Sequence, residues 1–130
     1  MGDCLVQPFV PEVQDPGEWS LIFLDGVFSH AVVKRPAAGD FRVQEEFGGT
    51  RHPADAPPEL VAQAERVLAL AGERTLYARV DGVVRGGLFQ LLELELVEPS
   101  LFLDVVPAAA ERFADAVVRW LDTELPAARP

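Results

Sequence analysis

The chain has 130 residues, of which 49% are hydrophobic and 25% are charged. This length allows one domain and excludes two, and the apolar content is enough to offset the entropy that the chain loses on folding. Eleven Lys and Arg residues against 21 Asp and Glu residues give a formal net charge of −10, and such a field repels nucleic-acid phosphates. We therefore expect one folded domain that binds no DNA or RNA.

The chain carries no signal for export or for a membrane. It has no basic N-terminal segment followed by an apolar run, and no window approaches the ~18 apolar residues of a membrane span. The single cysteine, Cys4, cannot form an internal disulfide, and we expect it to be a small buried side chain. These features predict a cytoplasmic protein that does not enter a membrane.

The first part of the chain predicts strands. Residues 4–9 form an apolar run typical of one strand, and the segments 18–24 and 27–35 flank Asp25-Gly26, which favours a two-residue hairpin turn. If Leu24 pairs with Val27, side-chain alternation defines the faces of the hairpin. One face then carries Trp19, Leu21, Phe23, Phe28, His30, Val32 and Lys34. The same alternation separates the side chains of Ser29 and His30, which argues against a Ser-His dyad.

The second part of the chain predicts a loop, two helices and two strands. Residues 36–51 contain three glycines and show no clear period, as expected for a long loop. Pro57 and Pro58 open a helix that runs to about Ala71 and stops at Gly72. Two strands follow near residues 76–83 and 88–97, and an apolar stripe predicts a last helix over about 107–125.

A cluster of carboxylates is expected on the last two strands. Strand alternation puts Glu93 and Glu95 on one face, opposite Leu92, Leu94 and Leu96, and puts Arg79 and Asp81 on one face of the preceding strand. If these strands pair, three carboxylates and one guanidinium converge. Unpaired buried carboxylates cost several kcal/mol each, so the cluster needs a cation or an exposed face.

Hard oxygen ligands of this kind suit Mg²⁺, which completes its coordination with water and substrate phosphates. The alternative is a solvated amphipathic strand, which shows the same alternation of Leu and Glu. No Lys or Arg occurs between Arg85 and Arg112, so the acidic residues there have no basic neighbour in sequence. That gap favours the metal over the solvated strand.

A second cluster has the opposite charge. Lys34, Arg35, Arg42 and Arg51 supply four of the eleven basic residues, and Lys34 is the only lysine. A glycine-containing loop of this composition can wrap phosphate oxygens, with Arg side chains forking onto them. The alternative is a set of surface charges that balances nearby acidic residues. A basic loop beside a carboxylate cluster is the arrangement that a metal-bound nucleoside triphosphate requires.

The order of these motifs resembles the C-terminal half of an ATP-grasp ligase, in the glutathione synthetase-like branch that includes the cyclo-ligases of cycloserine biosynthesis. The resemblance covers residues 5 to about 121. Its motifs are Leu5-Val6-Gln7-Pro8-Phe9-Val10, Gly17-Glu18-Trp19-Ser20, Lys34-Arg35-Pro36, Gly39-Asp40-Phe41-Arg42, Gly48-Gly49, Arg79-Val80-Asp81 and Glu93-Leu94-Glu95. Walker A, GxGxxG, GxSxG, HExxH and paired CxxC motifs do not occur in the sequence.

The resemblance implies an α+β domain, an antiparallel sheet with flanking helices, over residues 4–125, with residues 1–3 and 126–130 as tails. It implies that ATP and Mg²⁺ are the cofactors and that a carboxylate is activated as an acyl phosphate before an amine or thiol attacks it. The nucleotide would be bound by Gln7, Pro8, Phe9, Val10, Glu18 and Lys34. The magnesium ions would be bound by Asp81, Glu93 and Glu95, and Arg42 and Arg79 would be catalytic.

Two departures from the family pattern stand out. Glu95 occupies a position where the family often has Asn, a residue that this chain lacks entirely. The domain and the lid that precede this region in the family have no counterpart in the 130 residues, so we expect an incomplete ligase that is inactive alone and has a lid-carrying chain as a partner. One alternative is a non-catalytic binding or scaffold module that keeps the fold. A second alternative is an acidic domain that only binds other proteins.

Overall fold

The computed structural model describes residues 2–4, 6–40, 42, 43 and 45–124. The core is one antiparallel sheet with the strand order β3-β2-β1-β4-β5. Its strands are β1 (Glu18–Leu24), β2 (Val27–Arg35), β3 (Thr50–Ala54), β4 (Tyr77–Arg85) and β5 (Leu88–Glu95). The helices are α1 (Pro58–Ala71) and α2 (Ala109–Glu124), with short 3₁₀ turns at Pro11–Val13 and Glu45–Phe47. The expected α+β fold is therefore confirmed.

The hairpin and the helices follow the local sequence signals. Asp25 and Gly26 both have positive φ, as a tight hairpin turn requires, and Leu24 pairs with Val27 as predicted. Helix α1 begins at Pro58, where a missing N–H costs nothing, and ends at Gly72, whose φ is +73°. The last helix agrees with the prediction as far as residue 124, and residue 125 lies outside the described residues.

Two predictions about the extent of strands in the first half of the chain, and one about the burial of Cys4, are wrong. Residues 6–10 form no strand, because Pro8 and Pro11 deprive this segment of two N–H donors. Thr50 and Arg51, predicted as loop, belong to β3, since they pair with Arg35 and Lys34 of a strand distant in sequence. Cys4 is exposed rather than buried.

A β-bulge in β2 overturns the predicted faces of the hairpin. Phe23 pairs with Phe28, but the next residue of β1, Ile22, pairs with His30, so Ser29 is the extra residue. Beyond a bulge every side chain changes face. His30, Val32 and Lys34 therefore lie on the face opposite the one predicted for them, while Phe28 packs on Phe23 as expected.

The two faces of the sheet bury different cores. On one face Leu21, Phe23, Ala31, Ala78 and Val80 pack against Leu60 and Ala64 of α1. On the other face Ile22, Leu24 and Val32 pack against Phe102 and Ala116 of α2. Helix α2 covers only part of that second face. The uncovered part carries Glu18, Lys34, Arg79, Asp81, Glu93 and Glu95.

A second bulge lies beside these carboxylates. Asp81 pairs with Glu93, whereas Gly82 pairs with Leu91, so Leu92 is the extra residue of β5. Leu94 and Leu96 pack on the α1 side as predicted. The prediction that Leu92 joins them is wrong, because the bulge turns it toward Gln7 and Glu18 on the other side.

Among the described residues, neither helix has the length and apolar character needed to cross a membrane.

Candidate functional site

Three carboxylates meet where β4 pairs with β5. Asp81 lies opposite Glu93, and Arg79 lies opposite Glu95. One carboxylate oxygen from each of Asp81, Glu93 and Glu95 lies within 4.8 Å of the other two. In a strand, residues two positions apart point to the same face, and antiparallel pairing places the residues of the two strands opposite each other. The predicted convergence of the three carboxylates is therefore confirmed.

Two cations lie against this cluster. Lys34 Nζ is 2.6 Å from Glu18 Oε1 and 3.0 Å from Asp81 Oδ2, across the β2-β1-β4 part of the sheet. Arg79 Nε donates to both Asp81 oxygens at 3.0 Å, and Arg79 Nη2 bonds to Glu95. Asp81 is 1% exposed, so these charge-assisted bonds offset the cost of burying its carboxylate.

The cluster has more negative than positive groups. Four carboxylates, those of Glu18, Asp81, Glu93 and Glu95, face the two cations, and Glu93 makes no ion pair with another described residue. Burial is the main cause that raises the pKa of Glu95, and repulsion from Glu93 and Asp81 adds to it against the attraction of Arg79. Burial likewise raises the pKa of Glu18, although Lys34 opposes it. Fully ionised, the cluster has two uncompensated negative charges, which match one divalent cation.

Two pockets open on either side of Glu18. One, of about 440 Å³, is lined by Lys34, Arg51, Arg79, Glu93, Glu95 and Phe102 together with Glu18. The other, of about 370 Å³, is lined by Gln7, Pro8, Phe9, Val10, Val13 and Leu92 together with Glu18. Glu18 is therefore the wall between a charged pocket and a largely apolar one.

Five of the six residues predicted to bind the nucleotide line the second of these pockets. Gln7, Pro8, Phe9 and Val10 precede the 3₁₀ turn, belong to neither a helix nor a strand, and form one wall. Phe9 is 60% exposed, which leaves its ring available for contact. Glu18, the first residue of β1, lines the same pocket.

The Arg42 side chain does not line the charged pocket. Its guanidinium bonds to Asp40 at 2.7 Å and lies 3.7 Å from the Phe47 ring centroid. The Asp40 carboxylate raises the pKa of Arg42 through this hydrogen bond. Arg35 also turns away, since its Nε donates to Pro16 O at 2.7 Å. The predicted catalytic role of Arg42 stays a prediction, and only Lys34 and Arg51 of the basic cluster line the charged pocket.

Two site residues escape sequence reasoning, both in the segment after β5. Ser100 O accepts a hydrogen bond from Arg79 Nη1 at 3.3 Å. The Phe102 ring lies beneath two guanidinium groups, 5.5 Å from that of Arg79 and 5.8 Å from that of Arg51. The sequence does not predict these contacts, because they depend on the path that the segment after β5 takes over the sheet.

One curated protein is similar to this chain in sequence. The chain is 36% identical over 126 residues to the cycloserine biosynthesis protein DcsG of Streptomyces lavendulae, an alignment that covers 90% of this chain and 42% of the relative. No protein-family model matches the chain.

Solved structures agree with this relationship. The crystal structure of D-cycloserine synthetase DcsG matches with a TM-score of 0.68 and 36% identity, over 88% of this chain and 41% of that one. D-Alanine–D-alanine ligase from Bacillus anthracis in complex with ATP matches with a TM-score of 0.55 and 21% identity, over 78% of this chain and 36% of the ligase. At this identity the match shows a similar fold and nothing more. The chain thus spans about two fifths of the length of its relatives. Sequence and fold together confirm the resemblance and identify the chain as ATP-grasp ligase-like over the matched region.

Proposed function

We propose that this chain is the Mg-ATP-binding part of an ATP-dependent ligase that joins a carboxylate to an amine or a thiol through an acyl phosphate. The observation that carries the proposal is the position of Glu18 between the two pockets. A nucleoside triphosphate has an aromatic base at one end and anionic phosphates at the other, with a ribose between them. The apolar pocket, the Glu18 carboxylate and the charged pocket occur in that same order.

The base would lie against the wall formed by Gln7, Pro8, Phe9 and Val10, where backbone groups and the exposed Phe9 ring are available. The Glu18 carboxylate would accept hydrogen bonds from the ribose hydroxyls, since an ionised carboxylate only accepts. Lys34 already ion-pairs with Glu18, and its Nζ lies on the side where the phosphates would begin. This arrangement favours a nucleotide over an uncharged ligand.

The donor set fits magnesium. The hard oxygen atoms that magnesium prefers are supplied by Asp81, Glu93 and Glu95. The two uncompensated negative charges of the cluster would be balanced by one divalent cation. A magnesium ion bound by these three carboxylates would neutralise part of the phosphate charge during phosphoryl transfer. Arg79, fixed by Asp81 and Glu95, would face the charge that develops on the transferred group. Arg42 is ion-paired with Asp40 and does not line the charged pocket.

A thermal-shift titration of the full chain tests the proposal. We expect Mg-ATP to raise the melting temperature more than Mg²⁺ alone or ATP with a chelator, because a ligand that binds only the folded state stabilises it. Glu93→Gln should lose the magnesium-dependent part of the shift, since a neutral amide replaces a charged ligand. Glu65→Gln, an exposed substitution on α1, is the matched control and should behave like wild type.

Equal shifts in wild type and Glu93→Gln would disprove the metal assignment. A wild-type chain whose melting temperature does not respond to Mg-ATP would disprove nucleotide binding. Such a chain would fit a module that retains the fold without its ligand.

A further inference from the structure

Three successive carbonyl groups fix the segment of residues 100–102, which follows β5. Ser100 O accepts a hydrogen bond from Arg79 Nη1 at 3.3 Å, in the carboxylate cluster. Leu101 O accepts from His30 Nε2 of β2 at 2.8 Å. Phe102 O accepts from two backbone N–H groups of the turn that follows, at 3.0 and 3.1 Å. The segment is thus tied both to the candidate site and to a histidine that does not line the charged pocket.

Phe102 has a backbone conformation that a bulky residue rarely adopts. Its φ is +52°, and the residue is buried. Such a conformation persists only where surrounding contacts over-determine it, and it is found most often near functional sites. The bonds that Arg79 and His30 donate to the two preceding carbonyl groups are part of what holds Phe102 in this state.

The orientation of the Arg79 guanidinium depends on this segment. Its Nε donates to both Asp81 oxygens at 3.0 Å, and its Nη2 bonds to Glu95. The remaining nitrogen, Nη1, donates to Ser100 O, and the Phe102 ring lies 5.5 Å from the guanidinium. Carboxylates therefore hold two of the three nitrogens, while the third nitrogen and one ring contact depend on residues 100–102.

His30 is itself held at both ring nitrogens. Leu101 O can only accept, so Nε2 carries the proton. Burial is the main cause that lowers the pKa of His30, so the ring is neutral at pH 7 and Nδ1 accepts from the Ser29 hydroxyl at 2.9 Å. The Ser29 oxygen accepts in turn from Arg112 Nε at 3.0 Å. The ring thus presents a single N–H donor to Leu101 O.

The β2 bulge makes this arrangement possible. Without the extra residue, Ser29 and His30 would point to opposite faces, as simple alternation predicts. The bulge brings Ser29 Oγ to His30 Nδ1, so the prediction that they are separated is wrong. It also places His30 on the face of the sheet that carries Arg79, where Nε2 reaches Leu101 O.

We propose that His30 is a positioning residue for Arg79. The hydrogen bond from His30 Nε2 to Leu101 O fixes the segment of residues 100–102. The neighbours of Leu101, which are Ser100 and Phe102, then fix the guanidinium against the carboxylates. The part that Arg79 plays toward a phosphoryl group rests on the proposed function, whereas the coupling of His30 to Arg79 does not.

Hydrogen exchange of the Arg79 Nε–H group tests this inference, measured by NMR on the full chain without Mg²⁺ or ATP. His30→Leu removes the donor to Leu101 O, and we expect the Arg79 Nε–H to exchange with water at least about tenfold faster. His30→Gln keeps an N–H donor at nearly the reach of Nε2 and should restore the slow exchange of the wild type. The control His52→Leu replaces the other histidine, which is exposed in β3, and should have no effect.

The Arg74 Nε–H group, which donates to Asp25 at 3.2 Å, is the internal reference. A general loss of stability would accelerate exchange at both guanidinium groups, whereas a positioning role accelerates it at Arg79 alone. If His30→Leu does not fold, His30→Asn replaces it, because the shorter amide does not reach Leu101 O.

Unchanged Arg79 exchange in a folded variant without the donor would overturn the inference. Equal acceleration at Arg79 and Arg74, or exchange in His30→Gln as fast as in His30→Leu, would also overturn it. Faster exchange at Arg79 alone, reversed by His30→Gln, supports it. Failure of the nucleotide proposal would instead appear as a missing Mg-ATP shift in the melting temperature, with these exchange rates unaffected.

Discussion

Lys34 Nζ lies 3.0 Å from Asp81 Oδ2, although the two residues are 47 positions apart. They meet because the bulge at Ser29 moves Lys34 to the face of Asp81, and because β1 separates their strands by only one sheet position. Lys34 also holds Glu18. One ammonium therefore links the wall of the apolar pocket to the carboxylate cluster.

Removal of the Lys34 ammonium should destabilise the protein in the absence of Mg²⁺. Lys34 is 11% exposed and Asp81 is 1% exposed, and loss of one partner of a buried ion pair costs about 3–5 kcal/mol. We expect Lys34→Met to unfold at a correspondingly lower urea concentration. Added Mg²⁺ should recover part of the loss, because a divalent cation takes over the charge of the ammonium.

The control for this experiment is Arg85→Met. Arg85 pairs with Glu12 at 3.2 Å but is 64% exposed, and exposed pairs contribute about 0–1 kcal/mol. Urea unfolding should therefore change little, with or without Mg²⁺. A Lys34→Met variant as stable as Arg85→Met would contradict the role of Lys34.

Gly82 is expected to tolerate no side chain. A Cβ at this position would lie 2.5 Å from Gln90 O and 2.5 Å from Phe89 Cζ. The backbone oxygen belongs to the paired strand and cannot move without disturbing the β4-β5 register. Gly82→Ala should cost about 1–3 kcal/mol, as overpacking does. Gly2→Ala, with no neighbour within 4 Å, should leave the denaturation midpoint unchanged.

Stability below neutral pH should depend on His30. Burial lowers the pKa of His30 below 6.5, so below pH 6.5 the unfolded chain takes up a proton that the folded chain resists. The stability associated with neutral His30 is complete above pH 6.5 and decreases as the pH falls from 6.5 toward the lowered value, by at most about 1.4 kcal/mol per unit.

His30→Gln removes this titration. We expect its free energy of unfolding to decrease less than that of wild type between about one unit above and one unit below pH 6.5. The matched control is His52→Gln, which removes the other histidine from an exposed position of β3. Parallel profiles for wild type and His30→Gln would show that protonation of His30 does not oppose folding.

The purified chain should bind Mg-ATP without catalysing ligation at a useful rate. Phosphoryl transfer requires charge stabilisation from several sides and exclusion of water. The described residues supply one sheet face, whose charged pocket is open to solvent, and Arg42 is held by Asp40. The measurement is phosphate release across a panel of carboxylates and amines. Robust, substrate-dependent release by the 130-residue chain would contradict this expectation.

Much of the fold follows from local sequence. Asp25-Gly26 determines the hairpin because few residue pairs adopt two successive positive φ angles. Pro58 and Gly72 mark the ends of α1 for equally local reasons. The alternation of Glu93 and Glu95 with leucines places both carboxylates on one face, and the short turn after β4 brings Asp81 opposite Glu93. The carboxylate cluster was therefore predictable from the sequence.

The tertiary structure alone decided that Lys34 and Glu18 join that cluster. Two bulges, at Ser29 and Leu92, invert the alternation that sequence reasoning assumes. The first sends Lys34 to Asp81 and brings Ser29 to His30. A bulge has no reliable local signal, because it arises where twist and packing across the whole sheet favour an extra residue. Contacts of Arg79 with Ser100 and Phe102 depend in the same way on the path of a distant segment. Residue types and spacing thus determined the chemistry available to this protein, while sheet register decided which groups meet.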